Sequence, residues 1–172
     1  IYKPITEKRG YFVSGKFDQY NRNIPYKAFV NIFQDLIKQL LSETETQLYK
    51  WKEELLDALG DNAQVIIDVI PDLELILGKQ PEAIILGANE SQNRFNLVFQ
   101  NFIKVFTKKE HPIVIFLDDL QWADSASLKL VHLLMASSSP GLLLIGAYRD
   151  NEVGNLHPLS VTLDEISKTG AT

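Results

Sequence analysis

Two adjacent aspartates, Asp118 and Asp119, directly follow the apolar run of residues 113–117. Such a run is typical of a strand buried on both faces, so the two carboxylates stand where the strand ends. A carboxylate at the tip of a buried strand, beside the phosphates of a nucleotide, can hold Mg²⁺ through water. A second acidic group can orient and deprotonate an attacking water. The alternative is that one aspartate only caps the following turn.

Five hydrophobic residues followed by Asp-Asp indicate a Walker B strand. Such a strand works together with a Walker A loop, G-x-x-x-x-G-K-[ST], whose amides and lysine cradle the phosphates. The sequence contains no such loop: Gly15 and Lys16 lack the first glycine at the required distance and a Ser or Thr after the lysine. We therefore interpret residues 11–13 as a short strand, Gly15 as its terminator and Lys16 as a solvated side chain.

Three amphipathic helices are predicted in the first two thirds of the chain. Apolar residues at helical spacing follow Pro25, which suits a first helical turn. Ser42 and Glu45 form a capping box that predicts the start of a second helix, and Gly60 closes that helix. The third helix is predicted over residues 90–107, with its phenylalanines forming a core stripe.

The remaining helices are shorter or less certain from the pattern. Residues 65–77 fit either a strand or short helices, and we favour two short helices. Helical spacing resumes at Leu128, and a last helix is predicted from Pro158 until Gly170 stops it. The residues of this last helix that we expect to face inward are Leu159, Leu163 and Ile166.

The fold class follows from the strands at residues 113–117 and 142–147, which are apolar throughout and alternate with helices. This arrangement predicts an α/β protein with a parallel sheet covered on both faces. Ligands of such sheets bind at the carboxyl ends of the strands. The acidic pair lies at one such end, and Arg149 and Asp150 follow the other strand, so chemistry is expected there.

Composition excludes several classes of protein. Hydrophobic residues make up 45% of the 172 residues, enough to close one core. The net charge of −5 gives no support to nucleic-acid binding, and the apolar runs are too short for a membrane span. The absence of cysteine excludes disulfides and fits a reducing, cytoplasmic location. Because the chain opens at Ile1 without a signal peptide, we expect it to be an excerpt of a longer protein.

Several stretches together resemble a known family: YFVSGKFDQYNRNIPY, QNRFNLVFQNFIKVF, IVIFLDDLQWADSASLKLV and LLLIGAYRDNEV. They are similar to the AAA-type ATPase domain of large bacterial signalling kinases, close to the origin-recognition-like branch and to the signal-transduction ATPases with numerous domains (STAND). The nearest likeness is to cyanobacterial multi-sensor proteins. In those proteins the domain lies between a serine/threonine kinase domain and GAF, PAS or histidine-kinase modules.

The resemblance implies a three-layer α/β/α P-loop NTPase fold, of which residues 1–172 form a part. Residues 1–9 would end the helix after Walker A, and the last core strand would begin near Ala171. A large helical insertion would occupy residues 25–107 approximately, between the strands of the core. The Walker B strand would span residues 113–118 and the sensor strand residues 142–148. In the family strand order 5-1-4-3-2, strand 4 would then be a bare apolar edge.

The resemblance also implies the roles of three residues toward Mg²⁺ and ATP. Asp118 matches the Walker B aspartate of the magnesium shell. Asp119 matches the acidic residue that orients the hydrolytic water, although many relatives have glutamate there. Arg149 stands where this class places a sensor of the γ-phosphate, which a guanidinium can read by paired hydrogen bonds. For Arg149 a surface ion pair with Asp150 or Glu152 stays open as an alternative.

Other polar and aromatic residues are expected to be structural. Trp122 is interpreted as packing rather than stacking on adenine, and Asp124 as the cap of a helix that begins at Ser125. Arg94 is interpreted as a solvated side chain. The histidines show no spacing that suits a metal; they are His111, His132 and His157.

Two functions compete. The first is an ATP-binding, ATP-hydrolysing switch that gates the linked kinase, GAF, PAS or histidine-kinase modules of the same polypeptide. The second is an inactive NTPase-fold scaffold that joins protein partners. A DNA-binding initiator is disfavoured because the chain is acidic. Without a Walker A loop, we expect no ATPase activity from the 172-residue chain alone.

Overall fold

The computed structural model describes residues 10–108, 111–136 and 140–169. Within these residues the chain divides into two compact units. The sheet unit contains residues 10–32 and 107–169, and the helical unit contains residues 33–106. The candidate site residues all belong to the sheet unit.

A parallel sheet forms the centre of the sheet unit. Its strands are β1 (Tyr11–Lys16), β2 (Ile113–Asp118) and β3 (Leu142–Gly146), in the order β1-β2-β3 across the described residues. The register places Lys16 opposite Asp118 at the carboxyl end of the sheet. The predicted parallel sheet and α/β class are confirmed.

Helices occupy most of the remaining described residues. In chain order they are α1 (Lys27–Leu41), α2 (Glu45–Leu59), α3 (Ala63–Ile67), α4 (Glu74–Leu77), α5 (Ala88–Phe106), α6 (Ser125–Ala136) and α7 (Pro158–Lys168). Short 3₁₀ turns lie at Gln19–Asn21, Gly60–Asn62, Pro71–Leu73, Leu120–Trp122 and Asp150–Glu152. The two short helices favoured for residues 65–77 are present as α3 and α4. Helix α1 begins two residues after Pro25, so the prediction that Pro25 lies in its first turn is wrong.

Gly15 does not end β1, which continues to Lys16. A Cβ at Gly15 would lie 2.6 Å from Cδ1 of Ile32 and 3.1 Å from the carbonyl oxygen of Ala28. The glycine therefore permits close contact between β1 and the first turns of α1. The prediction that Gly15 ends the strand is wrong. The glycine was interpreted as a strand-ending signal, whereas it provides space for a packing contact.

Helix α7 packs only partly through the predicted face, and Leu159 is buried as expected. Leu159 and Thr162 are buried, whereas Leu163 is 39% exposed. The hydroxyl of Thr162 donates to the carbonyl of Pro158 at 2.9 Å, which satisfies it inside the unit. The expectation that Leu163 faces inward is therefore wrong.

The helical unit is held by an aromatic core. Phe33 contacts Phe99 and Phe102 edge-on, and Phe106 contacts Phe102 and Trp51, with ring centroids 5.2–5.5 Å apart. These contacts confirm the predicted core stripe of α5.

The predicted capping box of Ser42 and Glu45 does not form at the start of α2. Thr44 caps this helix by accepting from the Gln47 amide at 3.3 Å. Ser42 instead donates to the carbonyl of Gln39 at the end of α1. Gly60 ends α2 as predicted, with a left-handed φ of 51°.

Some expectations fall outside the described residues. They are the helix tail at residues 1–9, the helix stop at Gly170, the strand from Ala171 and parts of the turns at residues 108–112 and 137–141. No described helix has both the length and the apolar character that crossing a bilayer requires.

Candidate functional site

The acidic pair marks the carboxyl end of the central strand. Asp118 is the last residue of β2, and its side chain is 41% exposed. Asp119 follows with a left-handed φ of 52°, a backbone conformation that aspartate tolerates better than most residues. This conformation turns the chain into Leu120–Trp122 and leaves Asp119 only 5% exposed. The two carboxylates therefore differ sharply in their access to solvent.

Both oxygens of the Asp119 carboxylate lie near positive groups. Oδ1 accepts from Nε2 of Gln121 at 3.0 Å and lies 3.6 Å from Nε of Arg149. Oδ2 lies 3.0 Å from Nζ of Lys16, yet this buried oxygen has no aligned hydrogen-bond partner among the described residues. The Gln121 hydrogen bond and the Lys16 ammonium lower the pKa of Asp119, although burial acts in the opposite direction.

Lys16 is a site residue that the sequence interpretation missed. Its ammonium lies 3.0 Å from Asp119 and 3.6 Å from Asp118, while 65% of its side chain stays exposed. The neighbouring Asp119 carboxylate raises the pKa of Lys16. Lys16 is exposed to solvent, as predicted, but the prediction missed its ion pairs. They arise because the parallel register sets the end of β1 against the end of β2.

Arg149 makes the surface ion pair with Glu152 that stayed open as an alternative, whereas its role as a phosphate sensor stays a prediction. Its guanidinium faces Asp119, and Nη1 pairs with Oε1 of Glu152 at 2.9 Å. Cζ also lies 5.0 Å from the ring centroid of Trp122, a cation–π contact. Asp150 accepts from the amide of Asn151.

Gln121 is the second residue that was missed. Its side chain is 1% exposed and lies between Asp119 and Arg149, where Oε1 accepts from the Arg149 amide at 3.2 Å. Its main-chain oxygen accepts from Nη2 of Arg22 at 2.6 Å. The sequence offered two signals for Gln121, its place in the family-like stretch DDLQWAD and its polar side chain in an otherwise apolar turn, but neither gave it a role.

Asp124 has the capping role expected for it. It accepts from the amide of Ser127 at 2.9 Å and from the Ser127 hydroxyl at 2.6 Å, which fixes the start of α6. Arg94 lies in the helical unit, where it donates to the carbonyl of Ile84 at 2.7 Å.

An open pocket of about 480 Å³ lies beside the acidic pair. Its walls come from the loop after β1, the first turns of α1 and the residues that follow β2 and β3. The lining residues include Lys16, Phe17, Tyr20, Ile24, Lys27, Asp119, Trp122 and Arg149. A volume of this size suits a small ligand.

The donor set fits a hard divalent cation that keeps most of its water. Asp118 and Asp119 offer carboxylate oxygens, and one of these, Oδ2 of Asp119, has no aligned hydrogen-bond donor among the described residues. No group of three or more His, Cys, Asp or Glu side chains arranged for a metal exists in the described part of the chain. The pair therefore suits Mg²⁺ whose other ligands are water and phosphate oxygens.

Comparison with known proteins is consistent with the α/β fold. The AAA ATPase domain family matches residues 1–145, and the chain belongs to this family. Membership supports nucleotide binding in general.

Two relatives carry this domain inside much longer proteins. The chain is 44% identical over 127 residues to "Hybrid signal transduction histidine kinase G" of Dictyostelium discoideum. It is 24% identical over 148 residues to "Histidine protein kinase 1" of Candida albicans. The matches cover 74% and 78% of this chain but only 4% and 6% of those relatives. No solved structure matches the chain significantly.

These relatives fit a nucleotide-binding module of a signal-transduction protein. Both are eukaryotic and are named as histidine kinases. The expected likeness to cyanobacterial proteins and to STAND ATPases stays a prediction, as do the serine/threonine kinase, GAF and PAS neighbours.

Proposed function

We propose that this domain is the ATP-binding switch of a multidomain signal-transduction kinase. One observation carries the proposal: in a member of the AAA family, a buried carboxylate at the end of the central strand lies between a lysine and an arginine. This arrangement suits a metal-bound triphosphate, because such a ligand brings a positive metal ion and negative phosphates to the strand ends.

The two aspartates take different roles because their exposure differs. Asp118, with its side chain 41% exposed, holds the water shell of Mg²⁺. Asp119 is buried and kept ionised by its neighbours, so it orients an attacking water by accepting a hydrogen bond from it. Bound Mg²⁺ would supply charge neutralisation of the phosphates.

Arg149 is the proposed reader of the γ-phosphate. Its side chain is 53% exposed, and its partners Asp119 and Glu152 are acidic groups that a phosphate can replace. The Trp122 ring beneath the guanidinium limits where it can turn. Arg149 thereby links the state of the nucleotide to the segment after β3. That segment can pass the change to linked kinase or sensor modules.

The test is a comparison of ATP binding with ATP turnover in the intact protein that carries this domain. Asp119→Asn should abolish turnover and spare the affinity for Mg-ATP measured by calorimetry. Asp164→Asn, an exposed aspartate on α7, is the control and should change neither. Unchanged turnover in Asp119→Asn would remove the proposed role of Asp119.

A scaffold without hydrolysis is the second candidate, and the helical unit gives it support. Ile84 is 77% exposed and Ile85 is 96% exposed in the segment before α5, as expected of a surface that contacts another protein. ATP binding without turnover in the unmodified protein would favour this candidate.

A further inference from the structure

Gln121 joins the ends of all three strands of the described sheet. Its amide nitrogen donates to Asp119 after β2, and its amide oxygen accepts from the Arg149 main chain after β3. Its carbonyl accepts from Arg22 in the loop after β1. A single residue that is 1% exposed therefore contacts the segments after three different strands.

The chemistry of the neighbours fixes the orientation of this amide. A carboxylate can only accept, so Asp119 requires the amide nitrogen of Gln121 on its side. The Arg149 main-chain N–H can only donate, so it requires the amide oxygen. Water does not reach this buried side chain to replace a lost partner. A shift of the Asp119 carboxylate must therefore either break the hydrogen bond or move Gln121.

Arg22 extends this connection to the wall of the pocket. It follows the turn Gln19–Asn21 and donates to Gln121 at 2.6 Å, a charge-assisted hydrogen bond. The same loop contributes Tyr20 and Ile24 to the pocket beside Asp119. Phe17 holds the start of the loop, because it is buried and its amide donates to the carbonyl of Asp118 at 3.0 Å. Beyond it, Tyr20 is 84% exposed and Ile24 49% exposed, so little packing holds the middle of the loop.

We propose that Gln121 is a positioning residue that couples the acidic pair to the loop of residues 17–26, so that ligand at the pair orders this loop. The proposal rests on the proposed function, because it takes Mg-ATP as the ligand. The connection runs from Asp119 through Gln121 to Arg22, which lies in the loop. The loss of Arg22 should uncouple the loop without weakening the binding of ligand at the acidic pair.

Hydrogen exchange of residues 17–26 in the intact protein, with and without Mg-ATP, tests this coupling. In the unmodified protein, ligand should slow exchange in the loop about threefold or more, because an ordered loop opens less often. Arg22→Met should keep the affinity for Mg-ATP and lose this slowing. Lys129→Met, which removes an exposed cation from α6, is the control and should keep both.

Gln121→Met gives the second arm, because it keeps the side-chain volume and removes both amide hydrogen bonds. It should lose the slowing in the loop and also speed exchange of the Arg149 amide without ligand. Circular dichroism checks that Gln121→Met folds. If this variant does not fold, Arg22→Met still tests the coupling. If ligand still slows exchange of the loop in Arg22→Met, the inference is overturned and the proposed function stands. An absence of Mg-ATP binding in the unmodified protein would contradict the proposed function and, with it, the inference.

Discussion

At the scale of single residues, the charge of Asp119 is the quantity that the site controls. A carboxylate that is 5% exposed would ordinarily resist ionisation. Gln121, Lys16 and Arg149 together reverse this tendency and lower its pKa. A metal ion approaching the pair must compete with the Lys16 ammonium, which stands 3.0 Å from Asp119. Because 65% of the Lys16 side chain is exposed, that ammonium can leave without a loss of packing.

Asp119 should make the stability of the protein depend on acid pH. Its pKa is lowered from an ordinary value of 3.8, so near that pH the unfolded chain binds more protons there than the folded protein does. The carboxylate's contribution to stability is therefore fully present above about pH 5 and is lost as the pH falls through the lowered pKa. Urea unfolding of Asp119→Asn and of the unmodified protein, from pH 7 down to pH 2, measures this effect.

The difference in unfolding free energy between these two proteins should be constant above about pH 5 and should change only in more acid solution. Asp164→Asn provides the matched control, because Asp164 lies exposed on α7. A difference for Asp119→Asn that stays constant across the whole range would show that the folded protein does not lower the pKa of Asp119.

At the scale of elements, the close contact of β1 with α1 depends on Gly15. Replacing it by alanine places a methyl group 2.6 Å from Cδ1 of Ile32. Overpacking of this kind costs about 1–3 kcal/mol, so Gly15→Ala should lower the free energy of unfolding by that amount. Chemical denaturation provides the measurement.

Gly154→Ala is the matched control for this prediction. A Cβ at Gly154 would meet nothing within 4 Å, so the same substitution there should leave stability nearly unchanged. Equal losses at Gly15 and Gly154 would show that backbone freedom, not contact with Ile32, sets the cost at Gly15.

Elements with strong local signals were predictable from the sequence, and errors arose where two local signals compete. The apolar run of β2 and the cap of α6 by Asp124 depend on neighbouring residues alone. At the start of α2, Ser42 and Thr44 are both suitable caps. Ser42 is used at the end of α1, which leaves Thr44 to cap α2.

The site itself was only partly predictable because part of it is not local. Asp118, Asp119 and Arg149 follow apolar strands, so the strand ends indicated them. Lys16 meets the acidic pair only through the register of β1 against β2, and no pattern in the sequence encodes that register. Gln121 likewise depends on the distance between the ends of β2 and β3. The roles of all these residues toward ATP stay predictions.

At the scale of the whole molecule, the described sheet has an open side at β3. Within the residues that the structure describes, this strand pairs with β2 alone. Its residues are half-buried or exposed, and Leu143 is 53% exposed. An apolar edge strand is a template for pairing with another chain, and a net charge of only −5 opposes association weakly.

The 172-residue chain should therefore self-associate through β3, and a charge on that strand should reduce the association. Leu143→Lys places an ammonium on the edge, which disfavours pairing of a second chain. Sedimentation velocity over a range of protein concentrations should show a smaller weight-average mass for this variant. Leu156→Lys makes the same change in charge at a residue that is 95% exposed and belongs to no strand. An equal reduction by both variants would assign the effect to net charge, because only Leu143 lies on the edge strand.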